Sequence, residues 1–172
     1  GVPSLRFGDS SGRQVLPFLW REPRRSNRCP TGGCCASRPD RRAFDWDKCV
    51  VICGVGGAEI LARQPMGPGI ATPETTDLII RLLREGVAVS QGMGIDLSPE
   101  LPDKLIEFAH NRIPPTHRTS MFENLLEGKR LEAEALNGTW VRLGSEHGVE
   151  TPLHFAVYAA LKPYVNGGLA TL

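Results

Sequence analysis

Residues 48–61 read KCVVICGVGGAEIL, an apolar run that breaks into a glycine cluster. Two folds compete for such a stretch. As a strand, a tight turn and the start of a helix, it would cradle the pyrophosphate of a dinucleotide, and the chain would be α/β. As one continuous helix, its glycines would let a neighbouring backbone or a ligand come close to a buried element, and the chain would be all-α. The nucleotide turn needs G-x-G-x-x-G followed by an acid about 20 residues on. Gly54 and Gly56 fit the first two positions, but Glu59 stands at the third. A carboxylate there would face the phosphates or crowd the helix contact. Downstream, ARQPMGPGIATPET offers no second strand ending in an acid that could hold a ribose. The stretch therefore reads as a largely buried helix beginning near residue 43. Asp45 and Asp47 lie near its N-terminus, where negative charge suits the helix dipole.

Working outward, the pattern stays helical to the end of the chain. QPMGPGIA is rich in breakers and is expected to be a loop. TPETTDLIIRLLREGVAVSQGMG follows, with Thr72 placed as N-cap, Pro73 at the first helical position and Gly94 as terminator. In DLSPELPDKLIEFAHNRI, Ser98 can cap and Pro99 can open a helix whose apolar face carries Leu101, Leu105, Phe108 and Ala109; Pro114 and Pro115 end it. SMFENLLEG has the capping-box spacing Ser120-x-x-Glu123 and closes at Gly128. RLEAEALNGTWVRLGSEHG is expected to run helical to Gly148, and Thr151 and Pro152 open a last helix. The fold class expected is all-α, with residues 43–172 as one helical domain.

The chain has 172 residues, 41% hydrophobic and 23% charged, enough for one domain with a real core. No apolar run approaches the length needed to cross a bilayer. The first residues lack the layout of a signal peptide, and there is no initiator Met, so the chain is expected to be a fragment of a longer protein. Charge is segregated. Residues 13–42 hold eight Arg, no Lys, and only Glu22 and Asp40 as acids, giving +6 against −5 for the remainder. An odd count of five Cys, with Cys49 and Cys53 four apart in apolar sequence, points to a reduced, cytoplasmic protein. Neither Cys29, Cys34 and Cys35 nor the four His follow a metal-ligand spacing, so no metal is expected. No G-x-S-x-G elbow is present.

The segment TSMFENLLEGKRLEAEALNGTWVRLGSEHGVETPLHFAVYAALK, residues 119–162, resembles the C-terminal domain of ketopantoate reductases (2-dehydropantoate 2-reductases). The matching elements are Ser120-Met121, the Gly128 turn, Glu132 with Asn137-Gly138 following, Arg142-Leu143-Gly144, Glu146-His147-Gly148 and Thr151-Pro152. Upstream, DWDKCVV is similar to the segment bearing that family's catalytic lysine, and residues 61–95 resemble the stretch after it. The likeness spans about residues 43–165. It implies a multi-helical domain of the 6-phosphogluconate-dehydrogenase-like type, preceded over residues 1–42 by a short irregular or β remnant of the nucleotide-binding domain. It implies further that NADP(H) serves the complete enzyme and that most of its binding domain is absent here, so the chain alone would not turn over.

Three residues acquire roles from the resemblance. Reducing a 2-oxo acid delivers hydride to the carbonyl carbon while a proton reaches the oxygen, so an acid must point at that oxygen. Lys48 matches the proton donor, and an apolar helix around a lysine favours proton release. Read from spacing alone, Lys48 is a lysine that snorkels to water. Ser120 matches a substrate-binding serine; on its own it reads as an N-cap. Glu132 matches the acid beside the reacting hydroxyl and the nicotinamide end of the cofactor; on its own it is a first-turn helix carboxylate. The sequence also departs from the family. Ile52 and Gly56 stand four and eight residues after Lys48, where ketopantoate reductases typically have Asn, and His154 replaces an Asn often found after the Thr-Pro pair. Two missing polar contacts point to a bulkier or more apolar 2-oxo acid.

The Arg-rich residues 13–42 carry little of the family pattern and resemble translation of a GC-rich gene in a shifted frame, or a degenerate remnant. A nucleic-acid arm is the weaker alternative for them. No membrane partner is expected, and a homodimer through the helical domain is compatible with the pattern. The competing reading of the whole is a non-catalytic helical dimerisation or regulatory module.

Overall fold

The computed structural model describes residues 46–168; the expectations for 1–42, including the β remnant, the Arg-rich segment and Cys29, Cys34 and Cys35, lie outside the described residues. KCVVICGVGGAEIL is one helix, part of α1 (Trp46–Ala62). After it come α2 (Met66–Ala71), α3 (Pro73–Gly92), α4 (Leu101–Arg112), α5 (Ser120–Leu126), α6 (Asn137–His147) and α7 (Pro152–Leu161), which runs into a 3₁₀ turn over Lys162–Tyr164. No strand occurs among the described residues, and the fold is all-α.

The glycines of α1 are helix contacts. A Cβ at Gly54 would stand 2.7 Å from Leu83 Cδ2 on α3, one at Gly56 3.1 Å from Thr119 Oγ1 beside α5, and one at Gly57 3.1 Å from Val157 Cγ2 on α7. From the other side, a Cβ at Gly86 of α3 would meet both Val50 methyls at 3.1 Å. Each glycine costs a helix about 1 kcal/mol relative to Ala, and close backbone approach returns it as packing contacts. Around α1 the core is built from Leu82, Leu83 and Val89 of α3, Leu105 of α4, Trp140 of α6, and Val157 and Leu161 of α7, all buried. Each such side chain contributes about 1.5–3 kcal/mol by leaving water.

Several local expectations hold. α3 starts at Pro73 and is closed by Gly94, whose φ of 78° lets Ile95 N–H reach back to Ser90 O at 2.9 Å. Gly148, at φ 69°, closes α6 the same way, with Val149 N–H on Gly144 O at 2.8 Å. Others are corrected. MGPGIA forms the short helix α2, because the 114–117 loop supplies partners from outside. Met66 N–H donates to His117 O at 3.0 Å and Gly67 N–H to Pro115 O at 2.9 Å, while Pro68 sits in a first turn that needs no N–H. α4 begins at Leu101, two residues past Pro99. Ser98 instead holds the preceding turn, accepting from Glu100 N–H at 3.2 Å. At α5, Thr119 occupies the N-cap position and Ser120 is the first helical residue, so the capping box does not form.

The last correction concerns the run before α6. That helix begins only at Asn137, because Leu136 adopts φ −95° and ψ −99°. The preceding residues make a separate turn, with Leu136 N–H on Glu132 O at 3.0 Å, and Leu131 N–H is drawn to Val165 O at 3.1 Å. The tertiary pairing of Leu131 with Val165 at the start of this run outweighs the helical propensity of RLEAEAL.

Candidate functional site

Lys48 lies in the first turn of α1 and is half-buried. At 100° per residue, Lys48, Ile52, Val55 and Glu59 fall on one stripe of α1, with Gly56 beside it. The stripe is half-exposed at Lys48 and Ile52 and buried at Val55, Gly56 and Glu59. There the N-terminus of α5 sits on it, at Gly56 and Glu59, about 12–16 Å along the axis from Lys48. Ser120 is exposed as the first residue of α5.

The seat is polar. Glu59 is only 3% exposed, and its Oε2 accepts the Thr119 amide at 2.8 Å and the Thr119 hydroxyl at 2.7 Å. Its Oε1 has no partner. Burial pushes the carboxyl above the usual range, and the two Thr119 donors work against that rise. Sequence reasoning met Glu59 only as the residue spoiling a nucleotide fingerprint. The available signal was an acid well inside an apolar helix, eleven residues after Lys48 on the same stripe.

Glu132 is joined to the fold elsewhere. It is exposed in the turn between α5 and α6, outside any helix, so its reading as a first-turn helix carboxylate is corrected. The following acid, Glu134, is the one that makes side-chain bonds: its Oε2 accepts the Tyr158 hydroxyl at 2.8 Å, and Lys162 pairs with its other oxygen.

Behind the stripe a buried network locks four helices together. His154 of α7 is fully buried; its Nε2–H donates to Leu82 O of α3 at 3.1 Å and its Nδ1 accepts from Asn137 Nδ2 of α6 at 3.0 Å. A carbonyl can only accept, so the ring is neutral with its proton on Nε2. Asn137 Nδ2 also reaches Cys53 O of α1 at 3.4 Å. Trp140 stacks on the imidazole with centroids 5.9 Å apart and meets Trp46 edge-on at 6.0 Å. Burial pushes His154 down to about 4. The start of α7 is held by Glu85, which accepts Leu153 N–H at 2.9 Å and His154 N–H at 3.0 Å. A cavity of about 440 Å³ opens beside it, lined by Arg81, Arg84, Glu85 and Glu150 and by none of Lys48, Ser120 or Glu132. Among the described residues no group of three or more His, Cys, Asp and Glu side chains could hold a metal ion, and no helix is long and apolar enough to cross a membrane.

An all-helical domain built around a buried helix that carries a lysine at its half-exposed end is a recognisable class. Residues 40–165 match the family model described as "Ketopantoate reductase PanE/ApbA C terminal". The chain belongs to the ketopantoate reductase family, as its C-terminal domain. It is 36% identical over 117 residues to the 2-dehydropantoate 2-reductase of Caulobacter vibrioides, covering 67% of this chain and 39% of that protein. To the 2-dehydropantoate 2-reductase of Aquifex aeolicus it is 30% identical over 151 residues, covering 85% and 47%. Among solved structures, the dimeric ketopantoate reductase of Staphylococcus aureus superposes with a TM-score of 0.64 at 29% identity, covering 70% of this chain and 42% of that one. The chain thus spans less than half the length of these relatives.

Proposed function

We propose that this chain is the substrate-binding and proton-donating part of an NADPH-dependent reductase acting on 2-dehydropantoate or a related 2-oxo acid, a cytoplasmic step of pantothenate biosynthesis. Lys48 holds its ammonium proton for the ketone oxygen and stabilises the charge that develops there. Ser120 binds the substrate. Glu132, exposed at the surface, is accessible to a nucleotide-binding domain and takes the position beside the hydroxyl and the nicotinamide end. The cofactor, when bound, supplies the hydride. Gly54 and Gly56, inside a buried helix, have no part in holding it. Without its nucleotide-binding domain the chain does not turn over.

The observation that carries this reading is the seating of the Ser120 end of α5, through Thr119 and Glu59, on the stripe of α1 that begins at Lys48. The same stripe bears on selectivity. Ile52 is apolar, and the space beside Gly56 is filled by Thr119 and Met121. Both features favour a less polar 2-oxo acid than sites lined by amides.

The test is a fluorescence titration with NADPH and a ketopantoate-dependent oxidation assay on this chain, followed by NMR titration with pantoate. Expected are no saturable NADPH binding, no turnover, and pantoate shifts that vanish in Ser120→Ala. Saturable NADPH binding would refute the division of labour, and pantoate binding untouched by Ser120→Ala and Lys48→Ala would refute the site. A dimerising module without catalysis is the second reading, favoured by α7, where Phe155 is 57% exposed beside exposed Ala156 and Ala159. Sedimentation of the chain and of Phe155→Ser separates it: concentration-dependent association lost in the variant, with no pantoate binding, would favour it.

A further inference from the structure

α5 has seven residues and makes no side-chain cap of its own, although its N-cap residue is a threonine. A threonine there ordinarily turns its hydroxyl onto the free amides of the first turn. Thr119 instead gives both its hydroxyl and its amide to one oxygen of Glu59, 60 residues away on α1. The acceptor is costly. A buried carboxylate loses its hydration, and Glu59 leaves a second oxygen without any partner. A local cap would have satisfied the helix end more cheaply. What the distant carboxylate adds is place, since it ties the first turn of α5 to a fixed point on α1. Gly56 completes the fit, because any side chain there would press on Thr119 Oγ1 and on Met121 Cε, 3.1 and 3.4 Å from its Cβ position.

We infer that Glu59 is a positioning residue: by clamping Thr119 against Gly56, it sets where Ser120 stands relative to Lys48, and so governs how well the site grips the acid substrate. The effect on substrate rests on the role proposed above for Ser120, and the clamp stands on the geometry alone. Glu59 does not touch the substrate in this scheme. Its carboxylate works through the backbone of residues 119–120, so an acceptor of the same shape should serve nearly as well as the charge.

The experiment uses the whole chain with four substitutions: Glu59→Ala, Glu59→Gln, Ser120→Ala, and Ile79→Val as a core change away from α5. Amide hydrogen exchange at Thr119 and pantoate affinity by NMR are read in each. In Glu59→Ala the Thr119 amide should lose its protection, and pantoate affinity should fall about tenfold, the scale on which small misplacements of a binding group act. Glu59→Gln, whose amide oxygen can accept both Thr119 donors, should restore most of both. Ile79→Val should lower the urea midpoint without moving either readout. Unchanged Thr119 exchange in Glu59→Ala overturns the clamp. Exchange that changes while affinity stays put, with Ser120→Ala abolishing binding, overturns the link from clamp to substrate. If pantoate fails to bind or Ser120→Ala leaves it bound, the role of Ser120 is what fails, and the exchange data still decide the clamp. Where Glu59→Ala does not fold, Thr119→Val, which keeps the amide bond and removes the hydroxyl, carries the same comparison.

Discussion

Acidification from pH 7 to 4 should cost this domain about 3 kcal/mol through His154 alone. The imidazole is fully buried, its Nε2–H is committed to Leu82 O, and its Nδ1 faces Asn137 Nδ2, a donor group held in that orientation by its second bond to Cys53 O. A second ring proton would point donor at donor. In the unfolded chain the ring titrates near its ordinary 6.5, and in the folded one only at about 4. Between those values the unfolded state holds the extra proton, so stability falls as pH falls through that window. A difference of about 2.5 pH units at about 1.4 kcal/mol each gives the figure. Glu59 and Glu85 act in the opposite sense, since burial raises both and they favour the folded state on protonation. The assay therefore compares urea unfolding of the wild type with His154→Asn, which keeps neutral hydrogen-bonding groups but has nothing to titrate. Tryptophan fluorescence reports it, as Trp140 stacks on the ring. The wild type should lose about 3 kcal/mol more than the variant between pH 7 and 4. Parallel losses in the two proteins would refute the argument.

Three further substitutions probe packing and capping. Gly54→Ala drives a methyl to 2.7 Å from Leu83 Cδ2 and should cost about 1–3 kcal/mol by urea unfolding, whereas Gly94→Ala, with open space but φ at 78°, should cost about 1 kcal/mol. Glu85→Ala removes the acceptor of two amides at the start of α7 and should cost about 1–2 kcal/mol at pH 7. Because burial also raises the Glu85 carboxyl, the wild type gains stability over the variant as the pH falls through its folded titration, so that difference should widen, which a pH series of the same unfolding curves checks.

The sequence was most legible where a local rule had no rival. Pro73, Gly94, Pro114 and Gly148 mark helix ends through backbone constraints that each residue carries with it. The glycine cluster also read correctly as helix, since Glu59 at the third position conflicts with a phosphate turn. Legibility failed where a partner distant in the chain decides. Nothing local to MGPGIA announces that carbonyls of residues 115 and 117 will satisfy its first amides. Nothing local to RLEAEAL reveals the pull of Val165 O on Leu131, so the helix expected there stops short at Asn137. For the site, motif resemblance pointed to Lys48, Ser120 and Glu132. The carboxylate that organises the seat of α5 was passed over, because its partner Thr119 lies 60 residues on and its burial is a product of the fold.

The contact between Gly56 and Thr119 has a consequence for how this surface can change over generations. Position 56 on α1 and position 119 at the N-cap of α5 crowd one another, a Cβ at 56 standing 3.1 Å from Thr119 Oγ1. A lineage that gains a polar group at 56 to meet a new substrate must first give up bulk at 119, and the reverse order would collide. The two positions should therefore change in order, 119 before 56, and their substitution effects should be non-additive, bulk at 56 being tolerable only once 119 is smaller.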